Sequence, residues 1–495
     1  MPAKARFLCM DKDDLVWQKL DQDTEQWEKS IRTKEVYRAV GNLILKYKGG
    51  QPELMHPAVR GGYNTIYRLE YKDGSSAIMR VPIKGVVRFP EEKVQYEVAT
   101  MRYVATHTTI PVPHIYYHGT AAENPTGLGP FIIMNYIDHH QNMSRVLLDP
   151  ERAIDERPVL NPNISEDKLE LLYGQMANIL LQLSTLRFPR IGSLVEEGRG
   201  ENSVCVGGRP LTANMNDIVV HTNTPPNILP SQTYASTYEW YSALGDMNMA
   251  QLVFQHNDAV EDEDDARDKY VARQLFRNLV TERRLVPELL KADGDFMLFS
   301  EDFRPANVLL NKDLQVVGVI DWEFAYAAPA QYSFDPPWWL LLEEPEDWTG
   351  GYREWMKAYE PRLQTFLRML EAEETKAANI TLAEKFNGIS LTGSGKSELT
   401  LSQRMRDSWE KQIWLFNYAT RKSWAFDFIW WKFLDGAYFG PNEDQDSQTR
   451  LQLLSKPQRE IMESFVARKM EESRNPKIDK WGDKDAAALL AEMLV

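Results

Sequence analysis

Apolar residues along this chain follow a helical spacing, then a strand spacing, then a helical spacing again. Up to about residue 48 the pattern is helical. Asp23 and Thr24 offer a cap, and Trp27, Ile31 and Val36 continue the apolar face to Leu45. From about 49 to 137 the period shortens to two. His56 to Val59 and Tyr63 to Tyr71 read as strands, Lys72-Asp73-Gly74 as a hairpin turn, and Ser76 to Pro82 as the partner strand. Pro90-Glu91-Glu92 opens a helix with proline and acids in its first turn, and Val94, Val98, Met101 and Val104 share one face of it. Ile115 to His118 and Phe131 to Ile137 are strands again. The predicted order is three strands, a helix and two strands.

Beyond about 165 the spacing is mostly helical. Ser165 is a plausible N-cap, and Leu169, Leu172, Met176, Ile179, Leu183 and Leu186 form a buried stripe. Residues 199–235, rich in Gly, Asn, Thr and Pro, predict a long loop or insertion. The acidic run Glu261 to Asp265 predicts a solvated loop or a helix start rather than a metal site. Helix is expected from about 266 to 291. Short strands follow at Phe296 to Ser300, Asn307 to Asn311 and Val316 to Ile320, and helix again after about 350. No internal repeat or low-complexity tract interrupts the pattern.

Composition narrows the classes. The chain has 495 residues, and 57 Lys+Arg against 72 Asp+Glu give a net charge of −15. Its 43% hydrophobic content suffices for a large core and excludes wholesale disorder. The negative charge argues against nucleic acid as the main partner, though not against a small basic pocket for a nucleotide. With only Cys9 and Cys205, a disulfide scaffold is excluded and a reducing compartment expected. No apolar run approaches the roughly 18 residues of a membrane span. The N-terminal stretch lacks the apolar centre of a secretory signal, so a cytoplasmic location is expected.

The stretch from Leu298 to Leu342 carries the chemistry. It holds Asp302, then Asn307 five residues on, then Asp321 fourteen beyond that, with a hairpin between the last two. Phosphoryl transfer needs such a set. One carboxylate orients or deprotonates the acceptor hydroxyl, while an amide oxygen and a second carboxylate hold Mg²⁺ on the nucleotide phosphates. His139-His140 reads as surface rather than a metal site. His256-Asn257-Asp258 lacks the arrangement of a hydrolase.

The loop Ser300-Glu301-Asp302-Phe303-Arg304-Pro305-Ala306-Asn307 resembles the H-x-D-x-x-x-x-N loop of the aminoglycoside/choline phosphotransferase superfamily, and Ile320-Asp321-Trp322-Glu323 resembles its metal motif. Gln175-Met176-Ala177 through Leu183-Ser184, Phe188, Ile191-Gly192-Ser193-Leu194, Asp335-Pro336-Pro337-Trp338-Trp339-Leu340 and the aromatic helix near Trp430 are similar to the fungal proteins of that group. The likeness spans about 50 to 440. The Trp-Glu ending and the lack of an A-P-E segment separate it from protein kinases.

The resemblance implies an α+β, protein-kinase-like fold of two lobes. The N-lobe is a small antiparallel sheet over 49–139, and the C-lobe is larger and mostly helical over 140–440 with an insertion at about 199–268. A helical extension covers 1–48 and a helical tail 441–495. It implies ATP and Mg²⁺ as cosubstrate and cofactor, and a small-molecule acceptor with a hydroxyl group. Asp302 would be the base, with Asn307 and Asp321 holding the metal. Gly61, Gly62, Tyr63 and Asn64 would form the phosphate loop, Arg80 would hold phosphates, and Glu97 would orient Arg80. Asn135 and Tyr136 would lie against the adenine, and Asp335 would support the loop from behind.

The sequence departs from the family pattern at three points. Arg80 stands where the family has Lys, Ser300 where it has His, and Arg304 at a second His-like position, where it is expected to contact a phosphate or an acidic substrate. Two readings therefore stand side by side. One is a small-molecule kinase; the other is a catalytically weakened nucleotide-binding pseudoenzyme acting as a sensor or interaction module. The acidic surface suits a cationic acceptor. Trp409, Trp414, Trp424, Trp430 and Trp431 are expected to pack the C-lobe and to line one wall of the acceptor cleft.

Overall fold

The computed structural model describes residues 8–153, 156–198, 203–286, 289, 294–386 and 399–495. The chain opens with two helices. Asp13 caps α1 (Asp14–Ile31) by accepting from the Val16 N–H, and Thr33 caps α2 (Lys34–Lys48) by accepting from the Val36 N–H. The helix expected to begin at Asp23-Thr24 therefore begins earlier and breaks at Arg32. A cap must turn its oxygen onto unpaired N–H groups, whereas Thr24 is buried in the middle of α1.

A six-stranded antiparallel sheet follows. It comprises β1 (Pro52–Met55), β2 (Val59–Arg60), β3 (Asn64–Tyr71), β4 (Ser76–Pro82), β5 (Ile115–Gly119) and β6 (Phe131–Asn135), ordered β1-β3-β4-β6-β5 with β2 also on β3. The strand expected at His56 to Val59 is displaced, since residues 56–58 form the gap between β1 and β2. Alternation along β4 sends Ala77, Met79 and Val81 into a core with Tyr67, Leu69, Tyr71 and the α2 residues Val40, Leu43 and Ile44. Ile78 and Arg80 therefore face the other way, toward α3 (Pro90–His107). That helix buries the expected Val94, Val98, Met101 and Val104, and with them Lys93 and Glu97. Each buried aliphatic side chain contributes roughly 1.5–3 kcal/mol, which is what holds the charged pair inside.

The mostly helical lobe follows the sheet; in it His140 N–H donates to Leu310 O and β7 (Gln141–Asn142) joins a small sheet. Its helices are α4 (Met143–Leu147), α5 (Glu166–Leu183), α6 (Ala213–Thr222), α7 (Thr237–Phe254), α8 (Glu263–Thr281), α9 (Ala330–Ser333), α10 (Gly351–Phe386), α11 (Leu401–Glu410), α12 (Ile413–Arg421), α13 (Phe426–Ile429), α14 (Asp435–Phe439), α15 (Lys456–Arg474) and α16 (Asp483–Met493). Its strands are β8 (Arg187–Phe188), β9 (Ser193–Glu196), β10 (Val204–Gly208), β11 (Phe296–Ser300), β12 (Val308–Leu310), β13 (Val316–Val319) and β14 (Ala325–Pro329). The α+β architecture is as expected: an antiparallel N-lobe and a mostly helical C-lobe.

The region expected as a loop at 199–235 contains β10, paired with β9, and α6, capped by Thr212. Its polarity concealed it. Asn214, Asn216 and His221 are buried beside Met215, Ile218 and Val219, so no apolar stripe marks the helix. Asn216 Oδ1 accepts from Arg88 N at 2.9 Å and its Nδ2 donates to Val86 O at 3.0 Å, which ties α6 to the N-lobe. Asp262 caps α8, whose first turn is the acidic run, complementing the helix dipole. The helix expected over 266–291 runs from Glu263 to Thr281 and stops short of the expected end; residues 282–286 are not helical, and part of the remainder lies outside the described residues. In the tail, α15 buries Met462, Phe465 and Val466, and α16 buries Leu490 and Met493. Among the described residues no helix is long and apolar enough to cross a membrane.

Candidate active site

Two strand pairings bring the chemistry together. In the hairpin of β12 and β13, Val308 faces Val319, and Ile320 N–H closes onto Asn307 O at 2.9 Å. This sets Asp321 beside Asn307. In the pairing of β11 with β14, Ser300 faces Ala325, which brings Asp302 and the segment 321–324 to the same end of the sheet. Asp321 and Phe324 both adopt left-handed backbone, φ 65 and φ 56. Non-glycine residues rarely do so, at a cost of about 1–3 kcal/mol each, and such strain gathers where side chains must be aimed.

Asn307 Nδ2 donates to the main-chain oxygen of Asp302 at 2.8 Å and to its Oδ2 at 2.9 Å. Its Oδ1 is thereby left as an acceptor. Arg304 Nε lies 2.9 Å from Asp302 Oδ1. Arg304, a departure from the family pattern expected to contact a phosphate or an acidic substrate, pairs here with Asp302. Burial pushes Asp302 up to about 6, with Asp321 and Glu323 adding to it and Arg304 and Asn307 opposing. Burial also raises Asp321, against the pull of Arg80. Oxygens of Asp302, Asp321 and Glu323 lie within 4.8 Å of one another. An all-oxygen set of this size, with the Asn307 amide beside it, fits a hard divalent cation such as Mg²⁺.

Arg80 meets Glu97 as expected, Nη1 to Oε1 at 2.5 Å. It does more than that: Nη2 donates to Asp321 Oδ1 and, at 2.9 Å, to Glu323 Oε2. Glu97, wholly enclosed, is raised to about 7 by burial although Arg80 and Lys93 oppose it. Burial works to raise Glu323 too, but Lys93 and Arg80 hold it below its ordinary value.

The glycine loop joins β2 to β3. Gly61 N–H donates to Asn64 O at 2.7 Å, and a Cβ on Gly62 would meet only open space. Tyr63 sets its ring edge-on to Phe324 at 5.2 Å. Asn64 is buried, its Nδ2 donating to Glu323 Oε2 at 2.9 Å and its Oδ1 accepting from Lys93 Nζ at 2.7 Å.

Other expected residues are committed elsewhere. Asn135 N–H donates to His114 O, Asn135 Oδ1 accepts from His114 N, and Tyr136 N–H donates to Ser76 O. Those main-chain donors are spent inside the sheet. Tyr136 stacks under Arg68 at 3.9 Å. Asp335 bonds Ser408 at 3.0 Å and Asn417 at 2.9 Å, so its hydrogen bonds hold α11 and α12 rather than the catalytic loop. Among the described residues the buried Ser300 hydroxyl has no hydrogen-bond partner. Trp414, Trp424, Trp430 and Trp431 are buried in the helical core, with Trp409 stacked on Trp414 at 5.4 Å. His256 is held between Asp479 and Asn475 O.

Three participants lay outside the sequence reading. No role is expected of Glu323 within its motif, and Lys93 and Glu301 are not among the expected site residues. Lys93 carried one usable signal: it precedes Glu97 by four residues, on the same helix face. Glu301 accepts from Ala213 N–H at 2.8 Å and from the Tyr326 hydroxyl at 3.0 Å, fixing the catalytic loop to the start of α6.

The antiparallel lobe and the helical lobe together bring these carboxylates and this amide to one place. The chain belongs to the phosphotransferase enzyme family APH, whose model matches residues 56–371. It is 28% identical over 136 residues to a subtelomeric hrmA-associated cluster protein of Aspergillus fumigatus, 27% of this chain and 23% of that one. It is 27% identical over 137 residues to altered inheritance of mitochondria protein 9 of Zygosaccharomyces rouxii, 27% of this chain and 20% of that one. The match thus spans about a quarter or less of these curated relatives. Among solved structures, a macrolide 2'-phosphotransferase type I aligns at 13% identity and TM-score 0.34, covering 86% of this chain and 98% of that one. A Plasmodium vivax ethanolamine kinase aligns at 10% identity and TM-score 0.37, covering 94% and 96%.

Proposed function

We propose that this protein transfers the γ-phosphate of ATP to a hydroxyl group of a small molecule, with Mg²⁺ as cofactor. Asp302 accepts the acceptor's proton as its oxygen bonds to the γ-phosphorus and the bond to the β-phosphate oxygen breaks. Asn307 and Asp321, with Glu323 near, would hold the cation, which would supply positive charge against the phosphates. The Gly61-Gly62 loop and the basic island at Arg80 receive the phosphates, and Glu97 orients Arg80. The observation that carries this reading is the cluster of Asp302, Asp321 and Glu323 oxygens within 4.8 Å, with Asn307 bonded to Asp302. An intracellular setting belongs to the same proposal and suits the free thiols of Cys9 and Cys205.

The test is ATP consumption across a panel of hydroxyl- and amine-bearing metabolites, run beside Asp302→Ala. Turnover by the wild type that vanishes in the variant supports the assignment. Turnover that survives the substitution removes Asp302 from the role of base. The pseudoenzyme reading draws on one observation: Arg80 is bonded to Asp321, the carboxylate the cation requires. Nucleotide binding without turnover over the whole panel would favour it.

A further inference from the structure

Lys93 is a buried cation beside the carboxylate cluster to which no role has yet been given. Its side chain is 1% exposed, and its Nζ reaches Asn64 Oδ1 at 2.7 Å and Glu323 Oε2. An ammonium carries three N–H groups, and two partners are found for it among the described residues. One donor of a wholly buried charge is therefore unmet, which is costly unless something else meets it. Arg80 differs. Its planar fork is locked onto carboxylates from α3 and from the segment after β13, an arrangement that holds β4 to both.

The position of Lys93 is informative as well. Asn64 closes the glycine loop, and Glu323 belongs to the three-carboxylate cluster. The Lys93 ammonium thus lies between the phosphate loop and the metal-motif acids. It sits on a flexible stem and is held by one amide oxygen and one carboxylate that also takes Arg80 and Asn64.

We propose that Lys93 is a phosphate ligand of the bound nucleotide beside Arg80, whose fork also joins β4, α3 and the metal motif. This rests on the phosphotransferase reading. When the nucleotide enters, the Lys93 ammonium donates to a phosphate oxygen, and Arg80 and Asn64 continue to hold Glu323.

The test is calorimetric binding of ATP, ADP and adenosine to the full chain and to Lys93→Met. The expected result is ATP and ADP binding weakened roughly 10- to 100-fold with adenosine unchanged. The loss should persist in Lys93→Met/Glu323→Gln, whereas a lysine that only neutralises Glu323 would let affinity recover there. Unchanged ATP affinity, an equal loss for adenosine, or that recovery overturns the proposal. If Lys93→Met does not fold, Lys93→Gln, which can still bond Asn64, carries the same comparison. Wild type that binds no nucleotide overturns the phosphotransferase reading itself; wild type that binds ATP no better than Lys93→Met overturns this inference alone.

Discussion

Arg80 in β4 donates a hydrogen bond to the carboxylate of Asp321, 241 positions along the chain, while its other terminal nitrogen holds Glu97. One guanidinium thereby joins the sheet, α3 and the metal motif. Removing it leaves Glu97 and Glu323 buried, with Lys93 as their remaining cation. Arg80→Met is expected to lower stability by about 3–5 kcal/mol, the usual cost of breaking a buried pair. Arg80→Met/Glu97→Gln should recover part of that loss, because the uncompensated charge is gone. Urea denaturation of the two variants measures both effects. A loss under about 1 kcal/mol for the single variant would mean the pair is effectively solvated.

Glu301 makes a second prediction possible. Its carboxylate accepts from Ala213 N–H and the Tyr326 hydroxyl, and burial raises its pKa. Glu301→Ala strands both donors, at about 1–3 kcal/mol each. Glu301→Gln keeps one acceptor oxygen and should cost about half as much. Denaturant midpoints separate the two. Equal losses would mean that volume, not hydrogen bonding, fixes the loop to α6.

The convergence of Asp302, Asn307 and Asp321 was legible because local rules determine it. The hairpin between Asn307 and Asp321 returns both to one end of the sheet, and period-two alternation along β4 aims Arg80 at α3. Long-range commitments were not legible. Nothing near Asp335 in sequence reveals that its partners are Ser408 and Asn417, and nothing near Asn135 reveals that His114 occupies its amide oxygen. Helix α6 escaped because its inward face is polar: Asn214, Asn216 and His221 break the apolar period on which recognition of a helix depends. Lys93 escaped for the same reason, since a lysine on an amphipathic helix ordinarily marks the solvent face.

Stability should depend on pH through Asp335. Burial pushes this carboxyl up to about 7, against Arg421, Asn417 and Ser408, from an unfolded value near 3.8. The folded state then binds the proton more tightly between these two values. Its contribution to stability is full below about pH 4, falls as pH rises, and is lost above about 7. Asp335→Asn removes the titration. Urea unfolding from pH 4 to 8 should show the wild type losing stability relative to the variant across that window. A difference that stays constant with pH would mean that Asp335 is ionised throughout.

The last prediction concerns the cation. Any ligand that binds only the folded state stabilises it, by about 2.7 kcal/mol at 100 times its dissociation constant. Millimolar ATP should therefore raise the melting temperature by a few degrees, and Mg²⁺ should add to that rise. EDTA should remove the added part. Asp321→Asn loses a carboxylate of the cluster and weakens the hold of Arg80, so it should keep the shift with ATP alone and lose the Mg²⁺ increment. Glu97→Gln removes a charge that does not belong to the metal cluster, and it should retain the increment. If Asp321→Asn responds to Mg²⁺ as the wild type does, the cation is held elsewhere. If the wild type does not shift with ATP at all, the cleft is not a nucleotide site, and the carboxylate cluster serves only to anchor Arg80 and Lys93.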